Sequence, residues 1–379
     1  MKSIFAELNP NQKEVLNLIR IHKELSGATI ARITNLQPST IVYILKALTE
    51  YNLIEFSKTG ESTTKGGKKP TLYKINADVG YIIGLEILLH KIKLTVIDFA
   101  GNKVVMQEED YPQGLKGDRL INETETLVKQ FMKRPGFEMK KIMGIGIGIP
   151  GIVNSRKGIV NYSRKLELEN FALKEKIEQR LGISTFIGND ANAGVLGFKW
   201  FPEKDQFANV IYLTYNQEST TIGTGILING VLYEGISGGA GEILSNLPAL
   251  HDLIDKTNQT SGEKLHPSLS LDETIGKMRS GSGAAIHVVE TLCQKLADEI
   301  VSIIAFMNPN AIIIGGDLAE YTSLVEEKIE PYVKNRIHAS LKHGFEVPVI
   351  KASQFGIFSV SLGAAALVLN EYFIAGENK

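Results

Sequence analysis

From Tyr81 onward, short apolar runs typical of β-strands alternate with stretches of helical periodicity. The strand-like runs are YIIGLEI, IKLTVIDF, IMGIGIGI, TFIG, ANVIYLTY, TGILIN and AIIIGG. Helices are predicted over Asp118 to Arg134, from about Ala284 to Met307 and near the C-terminus. Strands interleaved with helices predict α/β layers. Two strand pairs carry a Gly-Asn or Asn-Gly turn, at Gly101-Asn102 and Asn229-Gly230, which predicts a duplicated lobe.

A chain of 379 residues exceeds what one hydrophobic core usually holds, so two or three domains are expected. Its charge is uneven, because residues 1–76 hold 11 Lys and Arg against 6 Asp and Glu, whereas the remainder holds 30 against 36. A basic head on an acidic body predicts that only the head meets a polyanion such as DNA. The alternative explanation of this charge is a lysine-rich surface that contacts only solvent.

The composition also limits compartment and metal chemistry. The first 25 residues lack the uninterrupted apolar run of a signal peptide, and no run approaches the ~18 apolar residues of a membrane span. Cys293 is the single cysteine, which permits neither an internal disulfide nor a cysteine cluster for zinc. We therefore expect a cytoplasmic protein without a membrane segment.

The head is predicted to be a winged helix-turn-helix. A first helix begins at Asn9-Pro10, a second runs from about Ala28 to Thr34 with Ile30 and Ile33 inward, and a third opens at Pro38. Two runs after it, LIEFS and TLYKIN, read as strands around a basic, glycine-rich loop. Two short helices, a tight turn and a third helix fit the helix-turn-helix arrangement.

The residues expected to face DNA are polar and lie at the third helix and the loop. They are Gln37 in the turn before the helix, Ser39, Thr40, Tyr43 and Lys46 on the helix, and Lys68 and Lys69 in the loop. The N-terminal end of such a helix touches base edges, and a basic hairpin tip reaches the phosphate backbone or minor groove. A small helical bundle that mediates protein contacts is the alternative.

Three glycine-rich motifs in the body carry the candidate site: GIGIGIPGIVN, GNDANAGVLG and YEGISGGAGEI. Asn189 and Asp190 place an amide beside a carboxylate at a strand end, where they can grip vicinal sugar hydroxyls. Capping the following helix is the alternative role. Glu242 follows a glycine-rich turn and can accept hydrogen bonds from hydroxyls, while Gly151 and Asn154 complete the predicted pocket. For Gly151, turn formation is the competing explanation.

These motifs resemble the sugar site of the ROK family of bacterial sugar kinases and sugar-responsive repressors. The head segment PSTIVYILKALTEYNLIE is similar to the recognition helix and following strand of ROK repressors. The resemblance implies a winged helix-turn-helix over residues 1–76 and a two-lobed, actin-like (ribonuclease-H-like) body over residues 77–379. It further implies a small lobe of residues 77–188 plus about 356–379 and a large lobe of residues 189–355.

The chain departs from the family pattern at the phosphate and zinc positions. Family kinases open the body with Asp-x-Gly-Gly-Thr, and a phosphate-binding turn requires those glycines. The aligned stretch Gly84–His90 has leucines in their place. In those kinases the Asp matching Asp190 is the general base. Leu244-Ser245 replaces the family's Gly-His, and Leu247 to Ser280 has no cysteine for zinc. Neither a zinc cofactor nor bound ATP is therefore expected.

The resemblance and these departures predict a sugar-responsive, DNA-binding transcriptional regulator rather than an enzyme. By default it is a repressor of carbohydrate uptake or catabolism genes, released by a sugar or sugar phosphate. An active ATP-dependent sugar kinase with a DNA-binding head, and a repressor controlled by protein sequestration, are the alternatives. A double-stranded operator with half-sites ~34 Å apart implies a homodimer or homotetramer.

Overall fold

The computed structural model describes most of the chain as two compact units. The described residues are 5, 7–59, 69–135, 137, 141–201, 207–217, 222–243, 247–340 and 345–373. One unit contains Met1–Ile147, Ala172–Ile187 and Ala364–Lys379, and the other contains Gly148–Phe171 and Gly188–Gly363. The first unit thus joins the predicted head to most of the predicted small lobe, and residues 148–171 belong to the second unit.

The head has the helices and strands of a winged helix-turn-helix. They are α1 (Pro10–His22), β1 (Leu25–Ser26), α2 (Gly27–Thr34), α3 (Pro38–Glu50), β2 (Ile54–Thr59) and β3 (Thr71–Ile75). The strands form an antiparallel sheet in the order β1-β3-β2. The predicted helix starts at Pro10 and Pro38 are confirmed, as are both wing strands.

Local chemistry sets the helix starts of the head. Asn9 caps α1 through a capping box with Gln12, whose side chain accepts from the Asn9 amide at 2.9 Å. Ser26 caps α2, which begins one residue earlier than predicted. The predicted inward position of Ile33 is wrong, since it is 43% exposed while Ile30 is fully buried. Ile33 lies about 60° around the helix axis from Ile30, outside the face that the head covers.

The rest of the first unit is a five-stranded sheet with helices. Its elements are β4 (Tyr81–Ile87), β5 (Lys91–Asp98), β6 (Lys103–Asp110), α4 (Gly117–Met132), β7 (Ile142–Ile149), α5 (Leu173–Leu181) and β11 (Thr185–Asn189). The sheet order is β11-β7-β4-β5-β6. Strand β6 is implied by the predicted Gly101-Asn102 turn but is missing from the strand-like runs, because its exposed edge position leaves VVMQEED without a continuous apolar run.

The C-terminal helix α11 (Ser359–Phe373) lies directly on β7. A methyl group built on Gly146 would lie 1.7 Å from the Ala364 carbonyl oxygen, so only glycine permits this approach. Within the described residues, Gly356–Phe373 is the one stretch long and apolar enough to cross a membrane, and 67% of it is buried inside the fold. Ser359, Ser361, Asn370 and Glu371 interrupt this stretch, so it is not the uninterrupted apolar run that the sequence was expected to lack, and its burial is typical of a core helix.

An aromatic cluster joins the head to the small lobe within the first unit. Phe5 is 2% exposed and stacks on Tyr372 with ring centroids 4.8 Å apart. Its ring also meets Phe99 edge-on at 5.6 Å, and Phe99 contacts Phe373 at 5.6 Å. The Arg20 guanidinium of α1 lies 5.9 Å from the centre of the Phe373 ring. The segment before α1 and the end of α11 thus share one apolar contact.

The second unit contains two sheets and the remaining helices. A small antiparallel sheet consists of β8 (Ile152–Asn154), β9 (Ile159–Ser163) and β10 (Leu168–Phe171). The larger sheet contains β12 (Val210–Tyr215), β13 (Gly223–Ile228), β14 (Val231–Leu232), β15 (Ala311–Gly316) and β16 (Val349–Ala352). The helices are α6 (Asp190–Trp200), α7 (Leu250–Thr260), α8 (Leu271–Arg279), α9 (Gly283–Met307) and α10 (Glu330–Ser340).

The two five-stranded sheets have the same topology. The order β16-β15-β12-β13-β14 reproduces β11-β7-β4-β5-β6 strand for strand in chain order. Asn229 and Gly230 both have positive φ in the two-residue β13–β14 turn, as a type I′ hairpin requires. The predicted duplication of the lobe is confirmed.

Candidate functional site

Asn189 lies at the boundary between β11 and α6, and its side chain holds the local structure. Its Oδ1 accepts from the amides of Ala191 at 2.9 Å and Asn192 at 3.2 Å, which caps α6. Its Nδ2 donates to the Gly151 carbonyl at 3.0 Å. Asn189 therefore ties the helix start to the Gly151 loop, and most of its hydrogen-bonding capacity is used within the protein.

Asp190 is the first residue of α6 and is half-buried. Its Oδ1 accepts from the Ala191 amide at 2.9 Å, at the positive end of the helix dipole. Gly223 of β13 faces this carboxylate, and a methyl group built on it would lie 3.5 Å from Asp190 Oδ1. Burial raises the pKa of Asp190, although the Ala191 amide and the positive charge of Lys165 oppose the rise. An acceptor of this kind suits a ligand hydroxyl.

Because its pKa is raised in the folded protein, Asp190 costs stability wherever it is ionised. We expect Asp190→Asn to increase the free energy of unfolding at pH 7, because the buried charge is removed and an oxygen acceptor is kept. The increase should disappear as the pH falls below about 4, where the carboxyl is protonated in both states. Urea titrations at pH 7 and below pH 4 measure this difference. Asp118→Asn, at an exposed site, is the control, and a less stable Asp190→Asn at pH 7 would contradict the expectation.

Glu242 lies in the glycine-rich loop after β14. Gly238 and Gly241 have φ of 78° and 85°, and methyl groups on them would lie 2.1 Å from the Val153 oxygen and 2.2 Å from the Thr224 oxygen. The backbone of the loop therefore packs directly against β8 and β13. Partial desolvation raises the pKa of the exposed Glu242 side chain, and the charge of Asp190 raises it further. The charge of one predicted carboxylate, Asp190, therefore acts on the other, Glu242.

The remaining two predicted pocket residues shape the turn beside Asn189. Gly151 has φ 125°, and a methyl group on it would lie 2.3 Å from the Tyr162 carbonyl oxygen. Asn154 Oδ1 accepts from the Lys157 amide at 3.0 Å and closes the β8–β9 turn. Their direct contact with a ligand remains a prediction. Lys165, which acts on Asp190, was not predicted, since nothing in its local sequence marks it.

In the head, most of the predicted DNA-facing residues are exposed. Gln37, Ser39, Tyr43, Lys46 and Lys69 are exposed and Thr40 is half-buried. Lys68 lies outside the described residues. Val42, which sequence reasoning missed, is 67% exposed between these residues.

Two lysines of the head are already paired with head carboxylates. Lys46 Nζ lies 3.8 Å from Glu50 Oε1 on α3, and Lys58 Nζ lies 2.8 Å from Glu24 Oε2. The hydrogen bond from Lys58, with one from Ser57, holds the pKa of Glu24 below its usual value. Both ion pairs are exposed, so DNA phosphates can compete for the ammonium groups.

Comparison with known proteins identifies the family. The sequence model described as ROK family matches residues 82–245 and 253–371, which is most of the chain. The chain belongs to the ROK family. A xylose repressor of Caldicellulosiruptor bescii is 26% identical to this ROK protein, over 95% of this chain and 96% of the relative. The DNA-binding transcriptional dual regulator NagC of Escherichia coli is 23% identical, over 94% of this chain and 92% of the relative.

Solved structures confirm the fold of this ROK protein. A ROK family transcriptional regulator described as a homolog of the E. coli MLC protein covers 96% of this chain with a TM-score of 0.73 and 19% identity. A ROK family glucokinase from Streptomyces griseus, solved with glucose and AMPPNP, covers 76% of this chain and 99% of its own, with a TM-score of 0.65 and 21% identity.

Within the described part of this ROK protein, no group of three or more His, Cys, Asp and Glu side chains is arranged to hold a metal ion. Burial raises the pKa of the Cys293 thiol to about 11, which disfavours the thiolate that binds metals. The positions that replace the family's Gly-His, Leu244 and Ser245, lie outside the described residues.

Proposed function

We propose that this ROK protein is a sugar-responsive transcriptional regulator. Its head binds a double-stranded operator, and a sugar or sugar phosphate bound at Asp190 and Glu242 releases the DNA, so that it represses genes of carbohydrate uptake or catabolism. It acts in the cytoplasm as a homodimer or homotetramer. The observation that carries the proposal is a winged helix-turn-helix in the same chain as the Asp190 site. A relative named as a xylose repressor and one named as a DNA-binding transcriptional dual regulator each match more than nine-tenths of the chain, which supports it.

A buried ion pair supports the absence of kinase activity. Glu86 occupies the position of the acid in the kinase Asp-x-Gly-Gly-Thr motif. It lies directly opposite Lys93 in the β4–β5 ladder, and Lys93 Nζ is 3.4 Å from Glu86 Oε2. Both residues are 4% exposed. The carboxylate is therefore neutralised by the protein's own ammonium group, in a place where a kinase needs it for magnesium and phosphate.

The turn after β4 is also closed by internal hydrogen bonds. The Leu88 amide donates to the Lys91 carbonyl at 2.8 Å, and the Leu89 carbonyl accepts from the Leu115 amide at 2.7 Å. The Leu89 side chain packs near Gly114. A turn filled by leucines does not offer the open row of amides that cradles phosphate.

On the second sheet, Gln217 follows β12 and contacts the Gly315-Gly316-Asp317 turn after β15, which corresponds by resemblance to the turn that faces the nucleotide in family kinases. Its amide donates to Asp317 Oδ2 at 2.8 Å, its carbonyl accepts from Leu250 N at 3.0 Å, and its side chain accepts from Leu271 N at 2.6 Å. The starts of α7 and α8 are thereby fixed on this one residue. Gly315 serves packing here, because a methyl group on it would lie 1.8 Å from Tyr212 Oη. These contacts support a structural role for the turn. We accordingly propose that the protein uses neither ATP nor zinc as a cofactor.

A thermal-shift screen of the purified protein against sugars, amino sugars, their phosphates and Mg-ATP tests the proposal. A ligand at about 100 times its Kd should stabilise the protein by ~2.7 kcal/mol. We expect a sugar or sugar phosphate to raise Tm, with the shift lost in Asp190→Ala and Glu242→Ala, and the same ligand to release the protein from DNA. The exposed-site variant Asp118→Asn should keep the shift.

Other outcomes favour the two alternatives. Sugar-dependent ATP turnover abolished by Asp190→Asn would identify an active kinase. Release from DNA by a protein component, without any stabilisation by sugars, would identify control by sequestration. Either result would replace the proposed sugar sensor.

A further inference from the structure

The outward face of α3 combines polar residues with two adjacent exposed apolar side chains. Ser39, Val42, Tyr43 and Lys46 recur at spacings of three and four residues and therefore form one stripe. We call these four residues the outer stripe. Val42 is 67% exposed and Tyr43 is 69% exposed.

The opposite face of α3 already supplies the core of the head. Ile41, Ile44, Leu45 and Leu48 are buried there. The outer stripe is not needed for folding, and a solvated helix face would normally be polar. Val42 also lines a groove together with Lys46 of α3 and Tyr73 of β3. Both apolar side chains thus stand on the face that a winged helix-turn-helix presents to DNA.

The basic residues of α3 are few. Recognition of guanine in the major groove uses an Arg or Lys that donates to O6 and N7. Lys46 is the only basic residue between Pro38 and Glu50, and its ammonium group lies near Glu50 in the exposed ion pair. The helix therefore offers one side chain of the guanine-reading type, Lys46, beside two exposed apolar side chains.

The remaining side chains match A·T pairs. The C5-methyl group of thymine is the apolar feature of the major groove, and small apolar side chains contact it. Gln37 precedes α3, is exposed and makes no side-chain capping bond to the helix, so its amide can donate and accept at adenine N7 and N6. An exposed valine can contact a thymine methyl group and an exposed glutamine can pair with adenine, so Val42 and Gln37 are suited to A·T pairs.

We propose that Val42 and Tyr43 read thymine methyl groups in the major groove and that this apolar contact sets the base preference of α3. This inference rests on the proposed function, since it requires that the head bind DNA. It extends that function by naming the chemical group recognised and the residues that recognise it.

The experiment uses the full-length protein and a binding site selected in vitro from a random double-stranded DNA library. Each thymidine of the selected site is replaced in turn by deoxyuridine, which removes only the C5-methyl group. Affinities are measured by fluorescence anisotropy at one fixed salt concentration, because phosphate contacts make the affinity salt-dependent.

We expect at least one thymidine in each half-site at which deoxyuridine lowers the affinity by about fourfold, the effect of removing one buried methyl group. Val42→Ser should lower the affinity for the thymidine site and abolish the response to deoxyuridine at that position. Val104→Ser, at an exposed apolar position on β6, is the matched control and should keep the full response. Because Val42 is exposed, the variant should fold with unchanged Tm.

Two results would overturn the inference while leaving the proposed function intact: selected DNA whose affinity is insensitive to deoxyuridine everywhere, or a Val42→Ser variant that responds as the wild type does. Failure of the wild-type protein to select any sequence would overturn the proposed function, and the inference with it.

Discussion

Replacing Lys93 by methionine should lower the free energy of unfolding by about 3–5 kcal/mol, the usual cost of breaking a buried ion pair from one side. Methionine keeps most of the apolar length of lysine but removes the ammonium group 3.4 Å from Glu86. The Glu86 carboxylate would then be buried without its compensating charge. Urea denaturation of the two proteins at pH 7 measures the difference.

The double variant Glu86→Leu with Lys93→Met is the control for this prediction. Because an apolar pair of similar volume removes both desolvation costs, it should be close to the wild type in stability or more stable. Lys74→Met, which breaks an exposed pair with Glu55, should change stability by less than about 1 kcal/mol. A Lys93→Met protein as stable as the wild type would show that the Glu86 charge does not depend on Lys93.

A single methyl group added at Gly146 should be nearly as damaging. The built atom would lie 1.7 Å from the Ala364 carbonyl oxygen and 2.5 Å from its carbon, both backbone atoms of α11. Because a backbone cannot rotate away as a side chain can, α11 would have to move off β7. We expect Gly146→Ala to lose about 3 kcal/mol or more, at the upper end of overpacking effects, and to be measurable by urea denaturation.

Gly276→Ala is the matched control, with the same chemical change at a site where a methyl group meets nothing within 4 Å. Gly276 lies inside α8, so alanine there should stabilise the protein by about 0.5–1 kcal/mol. If both variants were equally stable, the close contact between α11 and β7 would not exist as described.

The sequence predicted the buried elements well and the exposed ones poorly. Strands such as β4 and β7 are continuous apolar runs, and α9 carries a long helical stripe, so their patterns are unambiguous. The edge strand β6 and the short strands β8 to β10 alternate with polar residues or span only a few positions. Each pairs with the strand next to it in the sequence, so the missing signal is the apolar pattern and not the partner.

At the candidate site, the residue types were predictable from the sequence, but which residue caps the helix and which faces the pocket was not. The pair Asn189-Asp190 was expected to grip a sugar or to cap a helix, and the structure gives Asn189 the capping bonds. Lys165 and Lys93 escaped prediction because their roles come from the carboxylates that the fold brings near them, Asp190 and Glu86. A lone lysine in a sequence does not reveal whether a buried carboxylate faces it.

The aromatic cluster of Phe5, Phe99, Tyr372 and Phe373 bears on how such proteins exchange parts during evolution. The head meets the body through a segment before its first helix and through the last turn of α11, which are encoded at opposite ends of the gene. A recombination event that replaced only the first 76 codons would bring in a foreign residue at position 5 against an unchanged Tyr372 and Phe373. A replacement head would keep this contact only if its residue at position 5 also packed against Tyr372.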